Sequence, residues 1–231
     1  MMGPKRLVLL VEGQGDVEAA PVLMQRLLKE HAAYDVVFLD PNPPLRVGEY
    51  SKICRNDFGE WRRLLKAAIK RKNCGGCILL LDGDSNLKVE GKPFCAMRAA
   101  RLLAAEAKKE GAGNLFSIAV VFACMELESW LIPGANSLVN VPFSDGRKEL
   151  LKIPRELPDN PEIAPRDAKG WFSKLMQTGY KPTRDQAELT SLVDLTQIRT
   201  HQAMRSFRRL ENAIKEIIAA ILEGKHVVSP T

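Results

Sequence analysis

Apolar positions in the first two thirds of the chain fall into short unbroken runs. The clearest are residues 7–11, 77–81 and 118–124, with a fourth at 36–39. Runs of β-formers and leucine without polar alternation read as strands buried on both faces, the habit of parallel sheets. Between the runs the period lengthens. Val17, Ala20, Leu23, Met24, Leu27 and Leu28 share one face of a helix over 17–30, with Asp16 placed to cap it. Residues 58–72 put Trp61, Leu64, Leu65, Ala68 and Ile69 opposite a face of Arg62, Arg63, Lys66, Lys70, Arg71 and Lys72. Residues 95–110 are alanine-rich and stop at Gly111, a good helix terminator. Strand and helix alternate, which predicts an α/β fold with a parallel sheet and right-handed crossovers.

Beyond residue 141 the pattern changes. Pro142, Pro154, Pro158, Pro161 and Pro165 divide the chain, and helices are expected near 145–152, 166–177, 185–195 and 200–223. The division is therefore an α/β core over 1–141 and a helical C-terminal extension over 142–231, packed on the core. Of the 231 residues 45% are hydrophobic and 27% charged, enough apolar material for a core without disulfide staples. The five cysteines are scattered and odd in number, which suits a reducing, cytoplasmic setting. Lys5 and Arg6 precede an apolar run too short for a secretory signal, and no run approaches the roughly 20 residues of a membrane span, so no membrane partner is expected. A net charge of +6 admits a polyanionic partner.

Carboxylates gather at the predicted strand ends. Glu12 follows the first run, Asp82-Gly83-Asp84 the third in the α/β order, and Glu126 and Glu128 the fourth. In an open parallel sheet ligands bind outside the carboxyl ends of the strands. Strand alternation points Asp82 and Asp84 the same way. Several acids in one place repel each other and call for a cation. Oxygen donors with few His or Cys favour Mg²⁺ or Mn²⁺, and the implied chemistry is phosphoryl transfer or phosphodiester cleavage. A single acid after a strand is more often a solvated loop residue or a cap; three strand ends with the same feature shift the balance.

The segment Val11-Glu12-Gly13-Gln14-Gly15-Asp16 resembles the Glu-Gly opening of Toprim domains, found in topoisomerases, primases, recombination mediators and OLD-family nucleases. Leu81-Asp82-Gly83-Asp84 is similar to the Toprim Asp-x-Asp motif, and Met125-Glu126-Leu127-Glu128-Ser129-Trp130-Leu131 to the Glu-x-Glu segment of OLD-type nucleases. With Arg199 and the 206–209 stretch, the layout resembles a family of small stand-alone bacterial Toprim-like proteins. The Toprim resemblance covers 5–141 and the small-family one most of the chain. It implies a Toprim-like parallel-sheet core flanked by helices. It also implies a metal-dependent nuclease with Glu12, Asp82 and Asp84 as catalytic acids. Mg²⁺ or Mn²⁺ would be held by Glu12, Glu18, Asp82, Asp84, Glu126 and Glu128, Glu126 being favoured over Glu128. DNA is favoured over RNA, in DNA processing or defence. A separately encoded ATPase partner and a homodimer follow by analogy only. The chain lacks a nucleophilic-tyrosine domain, and Tyr34, Tyr50 and Tyr180 sit in unremarkable contexts. It also lacks a primase zinc domain and a Walker A motif.

Four other signals compete. Gly13-Gln14-Gly15 opens a dinucleotide-binding pattern, with Asp40 where a ribose-binding acid would sit, but Glu18 occupies the third glycine position. Cys74-Gly75-Gly76-Cys77 has no second pair for zinc and reads as a glycine turn. His31, His201 and His226 form no ligand pattern. Lys88, Lys92, Arg98, Arg199, Arg205, Arg208 and Arg209 are candidate nucleic-acid contacts, each equally explained by salt bridges or solvation. A non-catalytic Toprim-like protein that binds nucleic acid or a partner is the alternative from a different class. A Rossmann-type nucleotide binder is the third.

Overall fold

The computed structural model describes residues 5–31, 33, 36–85 and 88–231; Tyr34 lies outside them. The chain forms an α/β fold around a parallel sheet. Its elements run β1 (Lys5–Val11), α1 (Gln14–Glu30), β2 (Val37–Leu39), β3 (Leu45–Arg46), α2 (Tyr50–Ile53), α3 (Arg55–Ile69) and β4 (Cys74–Asp82). A hairpin of β5 (Lys88–Val89) and β6 (Lys92–Pro93) follows, then α4 (Ala96–Lys109), β7 (Ser117–Ala123), α5 (Leu127–Leu131) and a 3₁₀ turn at Ile132–Leu138. The chain continues through α6 (Ala168–Leu175), α7 (Pro182–Leu192), α8 (Leu195–Thr200), α9 (Arg205–Leu222) and β8 (Val228–Ser229).

The sheet order is β2-β1-β4-β7-β8, with β3 also pairing β1, and its ladders are parallel. Strand alternation explains the unbroken apolar runs. Leu7, Leu9 and Val11 of β1, Ile78 and Leu80 of β4, and Ala119, Val121 and Ala123 of β7 enter one core, with α1 and α9. Val8 and Leu10, Cys77, Leu79 and Leu81, and Ile118, Val120 and Phe122 enter the other, with α3 and α4. Both faces are covered, so within these runs neither strand parity carries a polar residue.

The C-terminal third is threaded into this arrangement. The buried face of α9 joins the core beside β7, β8 adds a strand to β7, and α7 lies along α1. Arg26 of α1 donates to the carbonyls of Thr190 (2.6 Å) and Val193 (2.7 Å), closing the C-terminal end of α7.

Several expectations are corrected. Residues 145–152 are not helical. Asp145 takes the Arg147 backbone N–H at 3.0 Å and its guanidinium at 2.5 Å, Gly146 turns at φ +84°, and Leu150 bridges Met176 in antiparallel sense. The pair Gly75-Gly76 is not a turn but part of β4. A Cβ on Gly75 would meet the Lys5 side chain at 2.7 Å, and one on Gly76 the Ile217 side chain at 3.1 Å. Glycine there admits close neighbours. Helix α1 begins at Gln14, so Asp16 lies in its first turn rather than before it.

Candidate functional site: an acidic cluster at the switch point of the sheet

From β1 the chain passes to β2 on one side, through a helix on the first face. From β4 it passes to β7 on the other side, through α4 on the second face. The carboxyl ends of β1 and β4 therefore diverge at a topological switch point, where doubly wound sheets open a crevice. Glu12 and Asp82 stand at those two ends. They line a cleft of about 490 Å³ with Glu49, Tyr50, Ser51, Asp84 and Ser85.

Backbone groups fix the first acids. Glu12 Oε2 accepts the Asp82 N–H at 3.0 Å. Asp82 Oδ1 accepts the Leu127 N–H at 3.1 Å, tying the β4 end to the start of α5. Between them Gly83 donates to the carbonyls of Ala123 (2.7 Å) and Met125 (2.9 Å). A Cβ at Gly83 would stand 2.8 Å from the Ala123 oxygen, so only glycine lets β4 and β7 close this tightly.

The extension supplies what the core lacks. Lys169, in the first turn of α6, places its ammonium 3.0 Å from Glu126, 3.4 Å from Asp82 and 3.8 Å from Glu128. Glu126 also accepts the Lys169 backbone N–H at 3.2 Å. Tyr180 donates its hydroxyl to Glu128 Oε1 at 2.6 Å. Glu128 is fully buried, and its Oε2 has no hydrogen-bond partner. Asp16 approaches from below, accepting the Gly13 N–H at 2.8 Å and a Gln186 amide at 2.9 Å.

One cation among six carboxylates, Glu12, Asp16, Asp82, Asp84, Glu126 and Glu128, leaves the site with an excess of negative charge. Burial pushes Glu12 up to about 7, and Asp16 and Asp84 add to the rise. Burial likewise raises Glu128 to about 7, against the pull of Lys169 and Tyr180. Asp82 is driven well above the usual carboxylate range, by burial first and its acidic neighbours next. Despite its own partial burial, Lys169 is held above its ordinary value by Asp82, Glu128 and Glu126. Hard oxygen donors and a surplus of negative charge would suit a divalent cation such as Mg²⁺. Among the described residues no group of three or more such side chains is placed so that it could hold a metal ion.

The structure thus brings together Glu12, Asp82, Glu126 and Glu128, with Asp84 exposed at the cleft wall. It does not bring in Glu18, which is exposed and lines a separate groove with Val17, Pro21, Leu39 and Asp40. Helical geometry is the reason: Asp16 at the start of α1 turns toward the cluster, and Glu18, two residues on, lies around the helix from it. Lys169 and Tyr180 had no sequence signal. Both lie more than 40 residues past Glu126, beyond the proline-broken stretch, and nothing local ties them to the strand ends.

The basic candidates divide. Arg199 pairs with Glu30 and Glu211, Arg208 caps the carbonyls of His201 and Gln202, and Arg209 holds Glu216 and Ser229. Arg98 reaches the carbonyls of Val89 and Pro93 and lies 3.9 Å from Glu90, stapling the β5–β6 hairpin. These four have structural partners. Lys88, Lys92 and Arg205 are exposed. The glycine turn of the dinucleotide pattern is filled: a Cβ on Gly15 would lie 2.2 Å from Gln186 Oε1 and 2.8 Å from Pro182. Asp40, placed for a ribose, is buried between Arg71 (2.6 Å) and Arg6 (3.6 Å).

Fold and site define a doubly wound α/β protein with a buried carboxylate–lysine cluster at its switch point. Residues 11–215 match the family described as "Domain of unknown function (DUF4276)", and the chain belongs to it. No curated protein and no solved structure matches the chain. No helix among the described residues is long and apolar enough to cross a membrane.

Proposed function

We propose that this chain is a Toprim-like, Mg²⁺- or Mn²⁺-dependent nuclease or related phosphodiester-processing enzyme. The observation that carries the reading is that neighbouring strand ends deliver Glu12 and Asp82 to one cleft, with Glu126 tied to Asp82 through the Lys169 ammonium. Glu12, Asp82, Glu126 and Glu128 would hold the ion, with Asp84 at the open side. A bound divalent cation supplies Lewis acidity toward a phosphate oxygen and neutralises the crowded acids. The side chains supply the rest. Glu12, raised to about 7, exchanges a proton near neutral pH while the Asp82 N–H holds it in place. Lys169 sets a fixed positive charge beside Asp82 and Glu126, where charge on a transferring phosphoryl group can be stabilised. Lys88 and Lys92, exposed on the hairpin that follows Asp84, are placed to meet a polyanion.

Nucleic acid, DNA before RNA, is the proposed substrate, in DNA processing or defence. An ATPase encoded elsewhere, a second copy of the chain and a cytoplasmic location belong to the same proposal. One observation favours a second reading, a non-catalytic nucleic-acid- or partner-binding protein. The Lys169 ammonium already engages three of the acids, so the cluster has a resident counter-ion. A cleavage assay decides between them. Supercoiled, linear and single-stranded DNA and RNA are incubated with Mg²⁺, Mn²⁺ or EDTA, using wild type and Asp82→Ala. Metal-dependent cutting lost in the variant is expected. Folded wild-type protein that cuts none of these substrates sinks the catalytic reading.

A further inference from the structure

The segment Cys74-Gly75-Gly76-Cys77 opens β4, and the sheet changes step inside it. Strand β1 pairs Arg6 with Cys74 and Leu7 with Gly76, so Gly75 is an extra residue that faces no partner across the ladder. In a regular strand, residues three apart point to opposite faces. The bulge undoes that rule. Gly75 and Gly76 both turn toward α9: a Cβ on the first would lie 3.2 Å from Ile221, and one on the second 3.1 Å from Ile217. Cys74 and Cys77 both turn the other way, against the core that α3 and α4 cover.

The two thiols therefore meet, with their sulfurs 3.8 Å apart. The bulge also shortens the chain between them to two strand rises, roughly 6.6 Å from Cα to Cα. That span lies within the reach of a disulfide. The backbone before the pair is fixed, since Asn73 accepts the Arg6 N–H at 2.9 Å and Arg71 accepts the Cys74 N–H at 3.2 Å. The two cysteines are unlike. Cys77 is buried and Cys74 half-buried. Hydrogen bonding from the Cys77 thiol holds Cys74 below its ordinary value, while Cys74 and burial push Cys77 well above its own. A reachable thiol that ionises readily beside a buried partner is the division between an attacking and a resolving cysteine. Cys54 and Cys124, by contrast, are each raised by burial.

We propose that Cys74 and Cys77 are a redox-active dithiol, which a hydroperoxide oxidises to a reversible disulfide within the chain. With hydrogen peroxide, the Cys74 sulfur attacks one oxygen and the O–O bond breaks. The other oxygen leaves as hydroxide, takes up the Cys74 proton and becomes water, and Cys74 becomes a sulfenic acid. The Cys77 sulfur then attacks the sulfenic sulfur. The S–S bond forms, the S–O bond breaks, and the departing hydroxide takes the Cys77 proton as a second water. In sum, two thiols lose two hydrogens with their electrons, and one peroxide is reduced to two waters. A thiol reductant reverses the change by exchange. The site is independent of the nuclease reading, because the thiols open β4 and Asp82 closes it.

The test treats the full chain with hydrogen peroxide near neutral pH, alkylates the remaining thiols under denaturing conditions and digests with trypsin. Cleavage after Lys72 and Lys88 isolates residues 73–88, which hold Cys74, Cys77 and no other cysteine. Mass spectrometry is expected to find this peptide unalkylated and two hydrogens lighter, and dithiothreitol before alkylation is expected to restore the doubly alkylated form. The disulfide is expected to form at least about tenfold faster in the folded chain than in the chain unfolded in urea. Cys77→Ser removes the resolving thiol, so Cys74 is expected to stop as a sulfenic acid that dimedone traps. A doubly alkylated peptide after peroxide treatment of the folded wild type overturns the proposal. So does a bridge from this peptide to another cysteine or to a second chain, a sulfinic acid at Cys74 in place of the disulfide, or an equal rate in the folded and unfolded chains.

Discussion

At the scale of single residues the cluster is governed by charge out of balance with burial. Glu128 illustrates the sign. It is fully buried, its Oε2 has only the Lys169 ammonium at 3.8 Å, and its pKa is raised from 4.5 to about 7. Between those two values the folded chain binds a proton that the unfolded chain releases, so stability falls as pH rises from about 4.5 through about 7. Stability is fully present below that window and lost above it. Glu128→Gln cannot ionise and keeps the Tyr180 contact through its amide oxygen. Relative to wild type it is expected to gain on the order of 2 kcal/mol between pH 5 and pH 8, measured by urea unfolding at both pH values. A difference that stays flat with pH would mean that Lys169 already neutralises Glu128 in full.

At the scale of elements, the contact of α1 with α7 closes the glycine turn and steadies the platform from which Glu12 projects. Gly15 sits under Pro182 and Gln186 with no room for a methyl group. Gly15→Ala is expected to cost about 1–3 kcal/mol by forcing the two helices apart. Glu18→Ala, on the exposed side of the same helix, is expected to stay within about 0.5 kcal/mol of wild type. Thermal unfolding of the two variants in parallel checks the pair. How far the elements were legible follows from the same physics. Strands β1, β4 and β7 could be read because burial on both faces leaves an unbroken apolar run. The long α9 could be read because Phe207, Leu210, Ile214 and Ile217 recur at helical spacing. Strand β8 is two residues long and has no pattern to read. The segment 145–152 looked helical by composition, yet Asp145 and Gly146 spend it on a turn. The acids Glu12, Asp82 and Glu126 were visible because strand ends are predictable from runs. Lys169 and Tyr180 were not, because their place depends on how a proline-rich chain folds back, which no local period encodes.

At the scale of the whole molecule, the acid site is shared between the sheet and the chain that returns over it. Asp82 comes from β4, Glu126 from the turn after β7, Glu128 from the first turn of α5, and their cation from α6. Anything that relieves the excess negative charge should therefore stabilise both parts together, since neither can part from the other without separating Lys169 from its acids. A divalent cation bound only by the folded chain adds about 2.7 kcal/mol at 100 times its dissociation constant. For a chain of 231 residues that corresponds to a rise in Tm of roughly 5–10 °C. Mg²⁺ at pH 8 is expected to produce such a rise in differential scanning calorimetry, against NaCl of equal ionic strength. Asp82→Asn should begin from a higher Tm, because one repelling charge is gone, and should show little further rise with Mg²⁺. An equal rise in Asp82→Asn would place the cation elsewhere. No rise in wild type would leave Lys169 as the cluster's sole counter-ion and favour the non-catalytic reading.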